Sequence, residues 1–91
     1  MLINITESAD ADLLAIADYL AQDSFDVAER IVLAIVQAAY SLQNLPNRGR
    51  LGRVKGTLEL LVPSLPYVLV YAVVPSEVRI LRVLHSKQQW P

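Results

Sequence analysis

Three apolar runs follow one another in the last third of the chain, from Leu58 to Pro91. Pro63 and Pro75 separate these runs, and proline presets the second position of a type I turn between strands. The middle run, Tyr67 to Val74, carries no polar group except two tyrosine hydroxyls. We therefore expect it to be a central strand with little water on either face. The pattern predicts an antiparallel three-stranded meander.

The first half of the chain predicts one short strand and two helices. Leu2 to Ile5 alternates briefly between apolar and polar residues. Apolar residues then recur at helical spacing, which predicts a helix capped by Ser8 and ending near Ala21. A second helix is expected from about Val27 to Asn44, with Asp26 at its N-cap. These elements predict an α+β fold of order β-α-α-β-β-β, in which a helical hairpin packs on the meander as one domain of residues 1–91.

The last predicted strand, Glu77 to His85, does not alternate cleanly. Strict alternation would place Arg79, Val83 and His85 on one face, and Ile80, Arg82 and Leu84 on the other. Two interpretations remain open at this point. Either a bulge interrupts the strand, or both of its faces are partly polar.

Charge is distributed unevenly along the chain. Before Pro46 there are seven acidic residues and one arginine, and from Pro46 onward seven basic residues and two acidic ones. The loop from Pro46 to Thr57 holds all three glycines and four of the eight basic residues. We interpret this as a basic sheet-and-loop side on which a polyanion or an acidic partner would dock. The alternative is that the two halves neutralise each other within the fold.

Several functional classes are disfavoured by composition. The absence of cysteine excludes disulfides and thiolate chemistry, and a single histidine argues against a structural zinc site, so we expect no metal and no cofactor. The N-terminal residues do not resemble a secretory signal. The longest apolar run near the middle, Ile31 to Val36, is far shorter than the roughly 18 residues of a membrane span. We therefore expect a cytoplasmic protein that does not associate with membranes.

The order of these segments resembles a known superfamily. The helix SADADLLAIADYL, the loop GRLGRVKG, and the strands TLELLV, PYVLVYAV and VRILRVLHSKQQWP are together similar to the RelE/ParE toxins of type II toxin–antitoxin modules. The resemblance extends over essentially the whole chain. It implies a small cytoplasmic growth inhibitor that is blocked by an antitoxin wrapped around it. The toxin would form a hetero-oligomer with the antitoxin or a homodimer.

Two activities occur in that superfamily, and three residues bear on the choice between them. RelE-like members are ribosome-dependent mRNA endonucleases with an arginine after the tyrosine of the GYRLVY-type segment, whereas this chain has Val68 there. ParE-like members lack that catalytic set and inhibit DNA gyrase. Leu58 and Ala72 stand where many ParE-like chains have arginine, which reduces the positive charge of the sheet. The resemblance favours a ParE-like toxin that inhibits gyrase by binding.

The residues expected to contact the target form the basic side of the molecule. They are Arg50, Arg53, Lys55, Arg82, His85, Lys87 and Trp90. The alternative is a metal-independent RelE-like ribonuclease acting on mRNA at the ribosome. It would use His85 or Glu59 as acid or base, and Arg53, Lys55 and Lys87 as cations. A third possibility is a non-toxic interaction module that dimerises through its second helix.

Overall fold

The structure is a computed structural model that describes all 91 residues. Its elements are β1 (Leu2–Ile5), α1 (Glu7–Ala21), α2 (Phe25–Ser41), β2 (Arg50–Leu51), β3 (Leu58–Leu61), β4 (Tyr67–Val73) and β5 (Glu77–His85). All five strands belong to one sheet of order β1-β5-β4-β3-β2. The predicted α+β fold with a helical hairpin and a C-terminal meander is therefore confirmed. Neither helix is of a length and apolarity that would carry it across a membrane.

Two strands extend the predicted meander into a mixed sheet. β1 pairs in parallel with β5, with Leu2 opposite Glu77 and Ile5 opposite Ile80. β2 adds an antiparallel pair at the other edge, formed by two residues of the basic loop. The sequence analysis did not predict this short strand, because two residues show no periodicity.

Both helices begin at an N-cap other than the predicted one. Thr6 rather than Ser8 caps α1: its Oγ1 accepts the Ala9 N–H at 3.3 Å and donates to the Ile80 carbonyl at 2.7 Å. This second bond ties the start of α1 to β5. Ser24 rather than Asp26 caps α2, and accepts the Val27 N–H at 3.2 Å. α2 also ends at Ser41, three residues before the predicted Asn44.

The turn after β3 is type II rather than the predicted type I. Leu65 donates its N–H to the Val62 carbonyl at 3.2 Å. Ser64, the third residue of that turn, has φ of 63°. A positive φ at this position belongs to a type II turn, and Pro63 is compatible with both types. The proline therefore indicated the turn but not its type.

β4 is the centre of the fold, as predicted. Its first five residues, Tyr67 to Tyr71, are all buried. Tyr67, Leu69 and Tyr71 belong to the main core between the sheet and the helices. Val68 and Val70 alternate with them and are buried on the face away from the helices, called here the open face. Full burial of one such apolar side chain contributes about 1.5–3 kcal/mol.

A β-bulge interrupts β5, which is one of the two interpretations that the sequence left open. Val70 pairs with Arg82, but the next residue of β4, Tyr71, pairs with Ile80, so that Leu81 is an extra residue in β5. The bulge shifts the alternation by one position. As a result Val78 and Ile80 before it, and Val83 after it, all reach the main core.

Asp12 of α1 satisfies the backbone beyond this bulge. β1 ends opposite Ile80, so beyond that point no strand lies on the side of β5 away from β4 to accept its N–H groups. Asp12 Oδ2 instead accepts the Val83 N–H at 2.9 Å and Arg82 Nε at 2.7 Å, and Oδ1 accepts Arg82 Nη2 at 3.0 Å. One carboxylate thus joins α1 to both the backbone and the side chain of β5.

Asp12→Ala should destabilise the fold by about 2–3 kcal/mol, because it removes charge-assisted hydrogen bonds and leaves a partly buried N–H and guanidinium without their acceptor. Urea denaturation of the variant measures this loss. Asp18→Ala, on an exposed position of the same helix, is the matched control and should change stability by less than about 0.5 kcal/mol. Equal stabilities for the two variants would contradict the role given to Asp12.

Glu77 links β1 to β5 in a pH-dependent way. Its Oε2 accepts Asn4 Nδ2 at 2.9 Å and Arg79 Nε at 2.8 Å, and these bonds lower the pKa of the carboxyl below its usual value. A carboxyl whose pKa is lower in the folded state contributes stability above its unfolded-state pKa. That contribution disappears as the pH falls through the folded-state pKa.

Glu77→Gln should therefore lower the thermal midpoint at pH 7, and the difference from the wild type should shrink as the pH falls toward 3. Thermal unfolding followed by circular dichroism at several pH values measures the effect. Glu7→Gln, at an exposed position of α1, serves as the control. A difference that stays constant with pH would show that the ionised carboxylate is not responsible.

Candidate functional site

A cleft on the open face gathers most of the basic loop. Its volume is about 320 Å³, and it is lined by Arg48, Gly49, Arg50, Arg53, Glu59, Leu60, Leu61, Val68 and Ser86. We call it the cationic cleft. Three arginines and one glutamate line it, so the lining carries net positive charge.

The single acid of the cleft is held by the loop above it. Glu59 is buried, and its Oε2 accepts the Arg53 N–H at 2.9 Å. Arg53 Nε lies 3.7 Å from the other oxygen. The Arg53 side chain nevertheless remains about half exposed, so part of its guanidinium is free to donate to a ligand. Glu59 therefore positions Arg53 and compensates part of its charge.

Tyr71 and Gly49 position the two arginines on either side of this glycine. The Gly49 N–H donates to the Tyr71 hydroxyl at 2.8 Å. A Cβ at position 49 would lie 2.7 Å from both that hydroxyl and the Glu59 carbonyl oxygen, so only glycine fits. Burial raises the pKa of Tyr71, and the bond from Gly49 and the charge of Arg48 partly oppose this rise. Arg48 Nη1 also donates to Ser41 Oγ at 2.8 Å, which anchors the loop to α2.

The three positions at which this chain departs from the superfamily pattern are buried or half-buried in the structure. Val68 lies in the cationic cleft opposite Leu84 and is buried. Leu58 is half-buried against the main core. Ala72 is half-buried and pairs with Arg79. The cleft thus contains cations from its loop and none from β4.

Arg82, on β5, and Trp90, beyond the end of that strand, lie apart from the loop arginines. The Arg82 guanidinium carbon is 5.6 Å from the centre of the Trp90 ring, a cation–π contact. The hydrogen bonds to Asp12 raise the pKa of Arg82 above its usual value, so it stays charged. β5 is three strands away from β2, which corresponds to about 14 Å. Asp12 largely neutralises Arg82, whereas Arg50 has no acidic partner.

His85 lies on the helix side of the sheet. Its ring is 5.7 Å from that of Tyr67 in an edge-to-face contact, and Nδ1 accepts the Lys87 N–H at 3.2 Å. His85 pairs with Tyr67, and Glu59 pairs with Val70. Because residues three apart on a strand point to opposite faces, Glu59 and His85 lie on opposite faces of the sheet.

The structure therefore brings only some of the predicted site residues together. Arg50, Arg53 and Glu59 meet in the cationic cleft, and Lys87 directly follows its lining residue Ser86. Lys55 is exposed on the loop between β2 and β3, and neither lysine forms an ion pair. The histidine, aspartate and glutamate side chains do not form any cluster of three or more that could hold a metal ion.

Arg48 is the basic residue of the cleft that the sequence analysis did not select. It belongs to the basic loop PNRGRLGRVKG, which was the available signal. Its guanidinium contacts Ser41 of α2, and no periodicity of the sequence predicts this contact between the loop and the helix.

The fold and the basic loop over the sheet define a toxin of the RelE/ParE superfamily. The sequence model of the family described as "ParE toxin of type II toxin-antitoxin system, parDE" matches residues 3–90, and the chain belongs to this family. The resemblance predicted from the sequence is thus confirmed.

Individual relatives are similar over most of their length. Toxin RelE2 of Caulobacter vibrioides is 44% identical over 81 residues, which are 89% of this chain and 90% of that protein. The Y4kP protein of Sinorhizobium fredii (strain NBRC 101917 / NGR234) is 41% identical over 76 residues, which are 84% of this chain and 78% of that protein. A chain of the chromosomal ParDE TA system from P. aeruginosa superimposes with a TM-score of 0.86 and 32% identity, covering 93% of this chain and 95% of that one.

Tyr71→Phe should destabilise the protein by about 1–3 kcal/mol, because the Gly49 N–H loses its acceptor in a partly buried position. Denaturation in urea measures the change. Tyr40→Phe removes a hydroxyl from a tyrosine that is 47% exposed on α2, and it should have almost no effect. If both variants matched the wild type, the hydrogen bond from Gly49 would not position the loop.

Proposed function

We propose that this toxin arrests growth by binding DNA gyrase through the cationic cleft and the neighbouring lysines, without making or breaking a covalent bond itself. It acts in the cytoplasm, and a cognate antitoxin holds it inactive. The proposal joins the family membership to the chemistry of the cleft.

The arrangement of acid, base and cations is the observation that carries the proposal. Metal-independent cleavage of RNA needs a base and an acid on opposite sides of one phosphate, with cations around it. Glu59 and His85 lie on opposite faces of the sheet, and Val68 cannot hydrogen-bond to a phosphate. The cleft supports binding of a charged surface better than it supports this chemistry.

The free cations around the cleft support a large charged target. Arg50, Lys55 and Lys87 have no acidic partner within the chain, and Arg53 is half exposed. Such charges guide association and fix orientation on a complementary surface. Arg82 and Trp90 contribute differently, since Arg82 is paired with Asp12 and its guanidinium lies against the indole ring of Trp90. His85 lies on the helix side of the sheet and does not face the cationic cleft, although its neighbour Ser86 lines it.

The apolar residues around the basic side support an antitoxin of matching chemistry. Leu51 is 87% exposed and Leu61 is 57% exposed, and β2 leaves an unpaired sheet edge. An acidic amphipathic segment would cover both side chains, and it could add a strand at this edge. Association as a hetero-oligomer with the antitoxin follows from this proposal, and a homodimer is the alternative.

A ribosome-dependent mRNA endonuclease is the second candidate. The Caulobacter relative bears the name RelE2, and three arginines in one cleft could stabilise the charge of a cleaved phosphate. Only one of Glu59 and His85 can face such a phosphate. Lys55 or Lys87 would then have to supply the second proton transfer.

A supercoiling assay with purified gyrase tests the first candidate. The wild-type toxin should inhibit, and Arg50→Ala combined with Lys55→Ala should raise the half-inhibitory concentration by on the order of tenfold, because two unpaired cations of the contact surface are removed. Arg30→Ala, which removes an exposed arginine from the acidic helical side, is the matched control and should inhibit as the wild type does. Cognate antitoxin should abolish inhibition.

Full gyrase activity in excess toxin would overturn the proposal. Cleaved messenger in a translating extract would then favour the endonuclease. Loss of cleavage in His85→Ala or in Glu59→Gln would identify the face of the sheet on which the reaction takes place. Unimpaired growth after induction of the toxin alone would instead favour an interaction module without toxicity.

A further inference from the structure

A groove runs between α1 and α2 near the turn that joins the two helices. Its volume is about 430 Å³. Phe25 and Leu33 line it and are 71% and 54% exposed. Asp18 and Glu29 add two carboxylates, and the remaining lining residues are alanines and valines of both helices. We call it the hairpin groove, and the functions considered above do not use it.

The charge around the hairpin groove defines what can occupy it. Asp18 and Glu29 are both exposed, and neither forms an ion pair within the chain. The half of the chain that forms the two helices carries seven acidic residues and only one arginine. The occupant should therefore combine an apolar side chain with basic neighbours. Two copies that met groove to groove would instead bring like charges together, which is unfavourable.

A feature with this chemistry protrudes from the basic side of the same molecule. Leu51 is 87% exposed and is the most exposed of the large apolar side chains. It belongs to β2, at the edge of the sheet. Arg50 precedes it and Lys55 follows in the adjoining loop, and neither cation has an acidic partner within the chain. Leu51 and its neighbours thus match the apolar and acidic lining of the hairpin groove.

The two features cannot satisfy each other within one copy. Leu51 and Phe25 are both largely exposed, so the groove and the sheet edge do not meet in the folded chain. A contact between two copies would use Leu51 of the first and the groove of the second, and would leave one groove and one Leu51 open. Such a contact is heterologous and can continue to further copies. The net charge of −1 causes little repulsion between whole molecules.

We propose that copies of this protein associate head to tail, with Leu51 of one copy inserted into the hairpin groove of the next. The cations on either side of Leu51 then pair with the two carboxylates of that groove. The contact consists of one apolar side chain and surface charge pairs, so the association is weak and depends on concentration. It covers Arg50 and Lys55, and therefore competes with any other partner of the basic side. The association concerns the toxin alone and does not rest on gyrase binding.

Sedimentation equilibrium of the purified toxin over a concentration series up to about 1 mM tests this proposal. The average mass of the wild type should rise with concentration and exceed that of a dimer. Leu51→Ser should weaken the association by about 10- to 100-fold, the effect of no longer burying one leucine. Leu2→Ser, at a 70% exposed leucine on the opposite edge strand, is the matched control and should associate as the wild type does.

A mixture of two defective variants tests the head-to-tail arrangement. Leu33→Lys places a cation in the wall of the hairpin groove and should also fail to associate by itself. An equal mixture of Leu33→Lys and Leu51→Ser should form dimers and nothing larger, because the first retains Leu51 and the second retains the groove. Raising the ionic strength from about 0.01 to about 0.15 M, which shortens the screening length from about 30 to about 8 Å, should weaken association of the wild type.

The proposal is overturned if the wild type stays monomeric over the whole series, or if Leu51→Ser associates as the wild type does. A mixture of the two variants that remains monomeric would also overturn it, because the contact would then join identical surfaces. Association that does not change with ionic strength would rule out the charge pairs at the rim of the groove.

Discussion

The contact between Asp12 and the bulged strand β5 is the constraint on which the rest of this structure depends. β1 ends at Ile5, opposite Ile80, and β5 continues for five more residues. Without an acceptor the N–H of Val83 would be unsatisfied at a partly buried edge, which proteins rarely tolerate. Asp12 accepts this N–H and pairs with Arg82. The same carboxylate thereby fixes where α1 lies along the sheet.

The bulge that Asp12 stabilises also determines which residues each face presents. Val83 points into the main core because Leu81 is inserted before it. His85, two residues later, consequently lies beside Tyr67 on the helix side, and Leu84 is buried on the open face. A regular strand would exchange these faces. The separation of Glu59 from His85, on which the proposed mode of action depends, is thus a consequence of one inserted residue.

The basic loop owes its position to a tyrosine of the central strand. Tyr71 receives a hydrogen bond from Gly49 and so holds the basic loop at the sheet. Tyr67, four residues earlier on the same face of β4, belongs to the same core, and its ring contacts that of His85. One face of β4 thus contacts the basic loop through Tyr71 and the end of β5 through Tyr67.

Local sequence determined the elements of this protein, and the tertiary structure decided how they meet. The apolar run of Tyr67 to Val74 was sufficient to identify the central strand, and the helical spacing of Leu13 and Ile16 to identify α1, because these signals are periodic and short in range. The N-cap of α1 was assigned incorrectly because Thr6 is selected by its bond to Ile80, a residue 74 positions away in the chain.

The basic loop was recognised as a candidate site from its composition. Which cations are free and which are paired with an acid could not be predicted from the sequence. The pairing of Arg53 with Glu59 and of Arg82 with Asp12 depends on contacts between different elements of the fold. Register, the bulge and the parallel pairing of β1 arise from non-local packing, which no single stretch of sequence encodes.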